Sequence, residues 1–458
     1  MPQYYPSHYV PALGQPNEFL KLSQTSEQLQ AGLGRVTHER YVPGMLSGSL
    51  RCSIATVTPL VIGAEQQRPD RQVAHVTPFL IDGQPAIPGS SLRGMLSALL
   101  EAASDSALRI LDQKPYELRV PQGRVTVRQA VPGSNGQPAT AWDFFAALSP
   151  RLLPLHNFRP LSPAELIFGV VAENPESRQT KRGAFALASR VRVSDALPTA
   201  GQSDLLGERI TLKILSSPKA SEVTAPASSL PGVASPCTVL YMKNREGRSS
   251  YIPKETLRPG LHIPQGRKFY LHHQVAAGQT PWRTQVRPPD PNANQKNSVQ
   301  PINSGKRFEF TVQFDNLHPI ELALLLYALK PTDQFRHKLG MGKPLGLGTV
   351  TVTIEEQRQV LREQRYTLAG LAANRATKPN WFPGLRNAAA QQVPAEIHQA
   401  IVALGEQAPP AGQVRYPLTV SQTDLEGETF KWFVENQRTR TRWLKPISEN
   451  QGKLPPLD

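Results

Sequence analysis

The chain has 458 residues, 39% of them hydrophobic, with 44 prolines, only two cysteines and a formal charge of +15. Two cysteines exclude a disulfide framework and a cysteine-rich zinc site, and no run of about 18 apolar residues exists to span a membrane. The first residues lack the charged-then-apolar order of a secretory signal, so a cytoplasmic protein is expected, and the excess positive charge points to an anionic partner, nucleic acid above all.

Residues 1–46 are polar and proline-dotted, carry Arg35, His38 and Arg40, and read as an N-terminal arm. Residues 49–57 alternate with period two and predict a strand. A polar loop is expected over 64–72. A short strand over 77–81 and a turn at Asp82-Gly83 follow. Ile87-Pro88-Gly89-Ser90-Ser91 is a turn, with Ser90 or Ser91 as helix N-cap. Leu92, Met95, Leu96, Leu99 and Leu100 mark one face of a helix that runs to about residue 103.

A short helix is expected over 139–147. Residues 165–171 are apolar and β-prone, 190–194 alternate with arginines on one face, and 210–215 predict another strand. Residues 216–306 are rich in Pro, Ser, Asn and Gly, with strand-like islands at 238–242 and 268–272, and read as a basic insertion. Order returns with an alternating strand over 308–314 and an apolar helix over 319–329, Pro319 at its first position. Residues 357–458 form a charged extension. In it Trp432, Phe433 and Trp443 lie among Lys431, Arg438, Arg440 and Arg442, suited to stacking on bases or to docking on a neighbour.

Leu339-Gly340-Met341-Gly342-Lys343-Pro344-Leu345-Gly346-Leu347-Gly348 precedes a strand at 349–354. A Walker A loop opens a helix and places Ser or Thr after its lysine; here Pro344 follows Lys343. A Rossmann turn runs from strand to helix, and here the order is reversed. Neither a triphosphate cradle nor a dinucleotide site fits. Stripped of insertions, the element order is strand, helix, strands, helix, strand. That is the α+β, ferredoxin-like (RRM-like) βαββαβ pattern. The boundaries fall at 1–46 for the arm, 47–215 and 307–356 for the two parts of the domain, 216–306 for the insertion and 357–458 for the C-terminal extension.

Several motifs occur in a telling order. The first strand ends in Thr58-Pro59-Leu60-Val61-Ile62-Gly63, and Ile87-Pro88-Gly89-Ser90-Ser91-Leu92-Arg93-Gly94 follows it. Phe168-Gly169 comes next, then Ser189-Arg190-Val191-Arg192-Val193-Ser194-Asp195-Ala196, and the glycine-rich loop closes the series. This order resembles the RAMP superfamily of CRISPR-associated proteins, over roughly 45–95, 160–215 and 305–355, and looks like a backbone-type subunit of a type III effector complex. The signature occurs once, implying one such domain with a large insertion. The resemblance implies a subunit whose sheet and thumb-like insertions lie along a guide RNA, with crRNA, target RNA and other effector subunits as partners.

A turn at a helix N-terminus and a glycine loop both offer backbone N–H groups to phosphates. The candidate RNA-binding residues are therefore Ser90, Ser91, Arg93, Lys338, Gly340, Gly342, Lys343 and Gly346, with His337 beside them. None of these reads a base, so binding should be independent of sequence. The resemblance also implies a cleavage aspartate between the first strand and the Ile-Pro-Gly-Ser-Ser turn. The matching position falls near His75 or Val76, a departure from the pattern. Asp70, or His75 as a general base, is the candidate for catalysis, in which case the subunit is a metal-assisted endoribonuclease using a divalent ion. No structural metal is expected, because Cys52, Cys237 and the adjacent His272-His273 lack ligand spacing.

Overall fold

The computed structural model describes residues 2–109 (without 71), 111, 133, 136–172 (without 157–158), 185–214, 258–286 (without 277), 290, 293–368 (without 366), 384–417 and 442–457. It also describes Asn436, Thr439 and the strand backbones at 117–122, 125–130, 240–241 and 377–379. In chain order the elements that frame the molecule are β1 (Leu46–Thr56), β2 (Gly63–Gln67), β3 (Ala74–Pro78), α1 (Gly89–Ala103), β4 (Val191–Val193), β5 (Ile210–Thr211), β6 (Asn297–Val299), β7 (Arg307–Leu317), α2 (Pro319–Leu329), β8 (His337–Lys338) and β9 (Thr349–Val360).

Period-two alternation builds the main sheet. Leu50, Cys52 and Ile54 of β1 and Phe308, Phe310, Val312 and Phe314 of β7 point inward and are buried, while Arg307, Glu309 and Gln313 stay exposed. The strand order is β4-β7-β1-β9-β8, with Leu197–Pro198 also on β7 and Thr377–Pro379 on β9. The pairings are antiparallel, and Cys52 faces Phe310 on one side and Ile354 on the other. The result is a mixed α+β fold. A second sheet, β5-β6-β3-β2, lies beyond the end of β1. It replaces the polar loop expected over 64–72: all five residues of β2 are exposed, so no alternation marks them as a strand.

The α1 helix begins at Gly89, so Ser90 and Ser91 sit within its first turn and neither is the cap. The cap comes from elsewhere: the Gly89 N–H donates to Asp195 Oδ1 at 2.7 Å. Of the segment expected as a strand over 165–171, only Val170–Val171 forms one, pairing with Ala186–Leu187; the residues before Gly169 belong to a helix at Pro163–Phe168. Its local signal is Ser162 with Glu165 three residues on, a capping box, and Pro163 at the first position. The α2 helix carries the same signals, with His318 and Glu321 forming the box.

Residues 321–329 of α2 are all buried. A helix apolar on every side must be covered on every side. The sheet and α1 cover one side, and the helices Leu385–Gln392 and Ala395–Glu406 belong to the same core. The Tyr327 hydroxyl contacts His398 Nδ1 at 2.8 Å. The C-terminal extension thus contributes a layer of the domain. The N-terminal segment is also packed: Ser7–Val10 pairs with Arg267–Tyr270, and Val10 and Phe19 are core residues. Of the islands expected in the insertion, Arg267–Tyr270 matches the second; only Leu240–Tyr241 of the first lies within the described residues.

Arg190 and Arg192 do not share a solvated face. Arg192 is exposed and pairs with Asp315 at 2.6 Å. Arg190 is buried, donating to the carbonyls of Leu166 and Asn316 and to Glu321 Oε1. Glu321 also receives the His318 N–H at 2.8 Å. Removing one partner of a buried pair leaves an uncompensated charge. Arg190→Met should therefore lower unfolding free energy by about 3–5 kcal/mol, measured by urea denaturation.

Candidate nucleic-acid interface

The glycine loop leaves β8, turns through a 3-10 turn at Lys343–Leu345 and enters β9. Its glycines are packing positions. Gly340 has φ +76°, and a Cβ there would lie 2.3 Å from the Val61 carbonyl oxygen. Gly346 has φ +103°, with a Cβ 3.0 Å from the His273 ring. Only glycine combines positive φ with such close approach. Gly342 serves likewise against Leu347.

Most of the loop's N–H groups face protein. Met341 donates to Val61 O at 2.9 Å, Gly348 to Pro59 O at 2.9 Å, Leu345 to Gly342 O at 2.9 Å and Gly346 to Lys343 O at 3.2 Å. Thr58 Oγ1 donates to Gly346 O at 2.9 Å. The loop is stitched to the exit of β1, which differs from an open cradle of N–H groups. Its charged side chains are two half-buried lysines, Lys338 and Lys343.

Lys338 Nζ donates to Leu347 O at 3.0 Å, and Lys343 Nζ lies 6.0 Å from the Tyr270 ring centre. No carboxylate pairs with either lysine among the described residues. Burial, then the nearby charges of Lys343 and Arg336, lower the Lys338 pKa to about 7. Burial also lowers that of Lys343. The neighbouring imidazoles are neutral. Burial takes His337 down to about 4 and His273 to about 3, and His272 lies well below its usual value. His337 Nε2 contacts Leu329 O at 2.9 Å, so it is a core residue and does not reach outward. The sequence reading named His272 and His273 only as lacking metal-ligand spacing and did not place them or Tyr270 at this loop, to which they come from the end of the strand Arg267–Tyr270.

The other candidates lie apart. Arg93 is half-buried; its guanidinium donates to Phe168 O and lies 5.7 Å from the Phe168 ring centre. Ser90 is exposed and Ser91 partly so, beside the Asp195 carboxylate that already occupies the α1 N-terminus. Asp70 is exposed at the β2–β3 hairpin tip, and His75 is exposed on β3, opposite Gln67 and Ser298. Among the described residues no three His, Cys, Asp or Glu side chains converge as metal ligands. Lys431, Trp432, Phe433, Arg438 and Arg440 lie outside the described residues; Trp443 carries Lys445 at 5.6 Å from its ring centre.

The open face of the main sheet is charged but neutralised. Arg51 pairs with Glu356 at 3.5 Å and Glu309 at 3.8 Å, Arg307 with Glu355 at 2.6 Å, and Arg358 with Glu356 at 2.7 Å. The outward residues of β7, from Arg307 to Asp315, include no aromatic side chain. A base-stacking sheet of the RRM kind needs exposed aromatics, so this face lacks that chemistry.

A desolvated lysine repelled by two cations destabilises the fold. Its unfolded pKa is near 10.4 and its folded value about 7, so the unfolded state binds more protons between those limits. Stability then rises with pH across that window. Lys338→Met should melt at higher temperature than the parent at pH 7, and the difference should shrink towards pH 10. Thermal melts of both proteins at the two pH values check this.

The family model described as RAMP superfamily matches residues 53–351. Among curated proteins none matches. Among solved structures, a chain of a "Type IV-B CRISPR Complex" is similar at 15% identity and TM-score 0.26, covering 67% of this chain and 89% of that one. No helix among the described residues is long and apolar enough to cross a membrane.

Proposed function

We propose, from the premise that this chain belongs to the RAMP superfamily, that it is a guide-RNA-binding subunit of a CRISPR ribonucleoprotein effector. The finer reading is a backbone-type subunit of a type III complex that positions the guide–target RNA duplex for antiviral defence, with crRNA, target RNA and other effector subunits as partners. The strand order β4-β7-β1-β9, with α1 after β1 and α2 after β7, supports a ferredoxin-like βαββαβ core interrupted by insertions.

One observation carries the RNA reading: Lys338 and Lys343 stand beside the glycine loop with no carboxylate partner among the described residues, while arginines on the sheet face are paired. Unpaired, partly buried cations are stabilised by an arriving anion. A phosphate beside Lys338 and Lys343 offsets the burial, and the smaller repulsion from Lys343 and Arg336, that hold the Lys338 pKa down. The contact reads backbone and no base, as a holder of arbitrary guides requires.

The test uses the full chain and labelled single-stranded RNAs of unrelated sequence. Lys343→Ala should weaken each by roughly tenfold or more and lower the salt slope by about 0.7 for one lost phosphate contact. Strongly sequence-dependent losses would overturn the backbone reading. Binding should also be flat in pH below about 7 and weaken above it, because the bound lysine keeps a proton that the free one loses. In Lys338→Met the slope above pH 7 should vanish.

A further inference from the structure

Tyr41 is 49% exposed, and the Arg362 guanidinium lies over its ring at 4.0 Å from the centre. Holding an exposed ring and a long side chain in one geometry needs support. Here the support is built. Asn316 is buried at the end of β7 with φ +52°, a conformation asparagine tolerates. Its Nδ2 donates to Thr37 O at 3.0 Å and Arg40 O at 2.9 Å, and its Oδ1 accepts the Val42 N–H at 3.3 Å. The residues on either side of Tyr41 are therefore both fixed to one core side chain. Ser47 Oγ accepts the Asn316 N–H at 2.9 Å and also a hydrogen bond from Arg362 Nη2. Ring and guanidinium are thus positioned from the same two-residue hub.

The surroundings are basic. Arg40 adjoins Tyr41 and is exposed. Arg365 is exposed three residues after Arg362 in the helix Arg362–Arg365, which places it on the same side. No carboxylate pairs with Arg40 or Arg365 among the described residues. A cation under an aromatic ring, with further cations beside it, matches the two requirements of single-stranded nucleic acid: a flat apolar surface for a base and charge for its phosphates. A duplex offers no free base face to such a ring.

We propose that Tyr41, backed by Arg362, is a base-stacking platform for single-stranded RNA. The proposal rests on the RNA-binding reading above and adds a second contact at the opposite end of the sheet. Tyr41 lies before the start of β1 and the glycine loop beyond its end, and the 11 residues of β1 between them span about 33 Å by strand rise. An RNA several nucleotides long is needed to reach both. The first contact holds phosphates; the second orders bases.

The full chain is titrated with a single-stranded oligonucleotide of mixed RNA containing 2-aminopurine, whose fluorescence falls when it stacks. Tyr41→Ala should weaken binding by roughly 5- to 100-fold, abolish the fluorescence change and leave the salt slope unaltered. Tyr41→Phe keeps the ring and should behave as the parent. Lys343→Ala should lower the salt slope while the fluorescence change persists at saturation. If Tyr41→Ala binds and quenches as the parent does while Lys343→Ala still weakens binding, the platform is refuted and the RNA-binding reading stands. Equal affinity of the parent for an RNA duplex also refutes the platform. If the parent binds no RNA, both fall.

Discussion

A buried carboxylate holds the separate parts of this chain together. Asp105 follows α1, is 1% exposed and adopts φ +45°. It accepts the N–H groups of Leu13 at 3.2 Å and Gly14 at 2.8 Å, Arg151 Nη2 at 3.0 Å and Arg267 Nη1 at 3.2 Å. Arg267 Nε also meets Glu101 at 3.1 Å. Burial raises the Glu101 pKa even against two arginines. Such a network specifies position more than it adds stability, since desolvation offsets most of the attraction. The position it specifies is that of the strand Arg267–Tyr270, and hence of Tyr270, His272 and His273 against the glycine loop. The insertion reaches the candidate interface through the strand that carries this buried arginine.

The frame was legible where one periodicity dominated. β1, β7, α1 and α2 follow from apolar spacing and end signals, and α2 begins at the expected Pro319. β2 was not legible, because a strand exposed on both faces has no buried set to repeat. Residues 165–168 misled for the opposite reason: a short apolar run suits a strand or a buried helix, and the Ser162–Glu165 box decides between them. The covering layer had an overlooked signal. The run Leu322 to Leu329 has no polar side, so something beyond the sheet had to lie on it, and the C-terminal helices share its core.

At the loop the packing role of the glycines was not legible. A glycine that admits a ligand and one that admits a carbonyl look identical in sequence. Gly340 and Gly346 admit Val61 and His273. Arg93 shows the same ambiguity for charge: in sequence it is a free cation, and in the fold it closes the C-terminal end of a short helix at Phe168. Which cations remain unpaired depends on non-local neighbours, and that is information a linear pattern does not contain.

Pairing, rather than net charge, therefore separates the surfaces of this protein. The +15 excess is distributed unevenly. On the open sheet face Arg51, Arg192, Arg307 and Arg358 each meet a carboxylate. Such exposed pairs add little to stability, yet each sets a carboxylate beside a charge that would otherwise draw a polyanion there. At the glycine loop the balance is opposite. Lys338 is packed against Leu347 O near Lys343 and Arg336, a placement that lowers the stability of the free fold. A fold that only needed to be stable would be better served by methionine at that position. Under the proposed function an anionic ligand supplies the missing partner, and on that reading binding and folding stability are in tension at the loop.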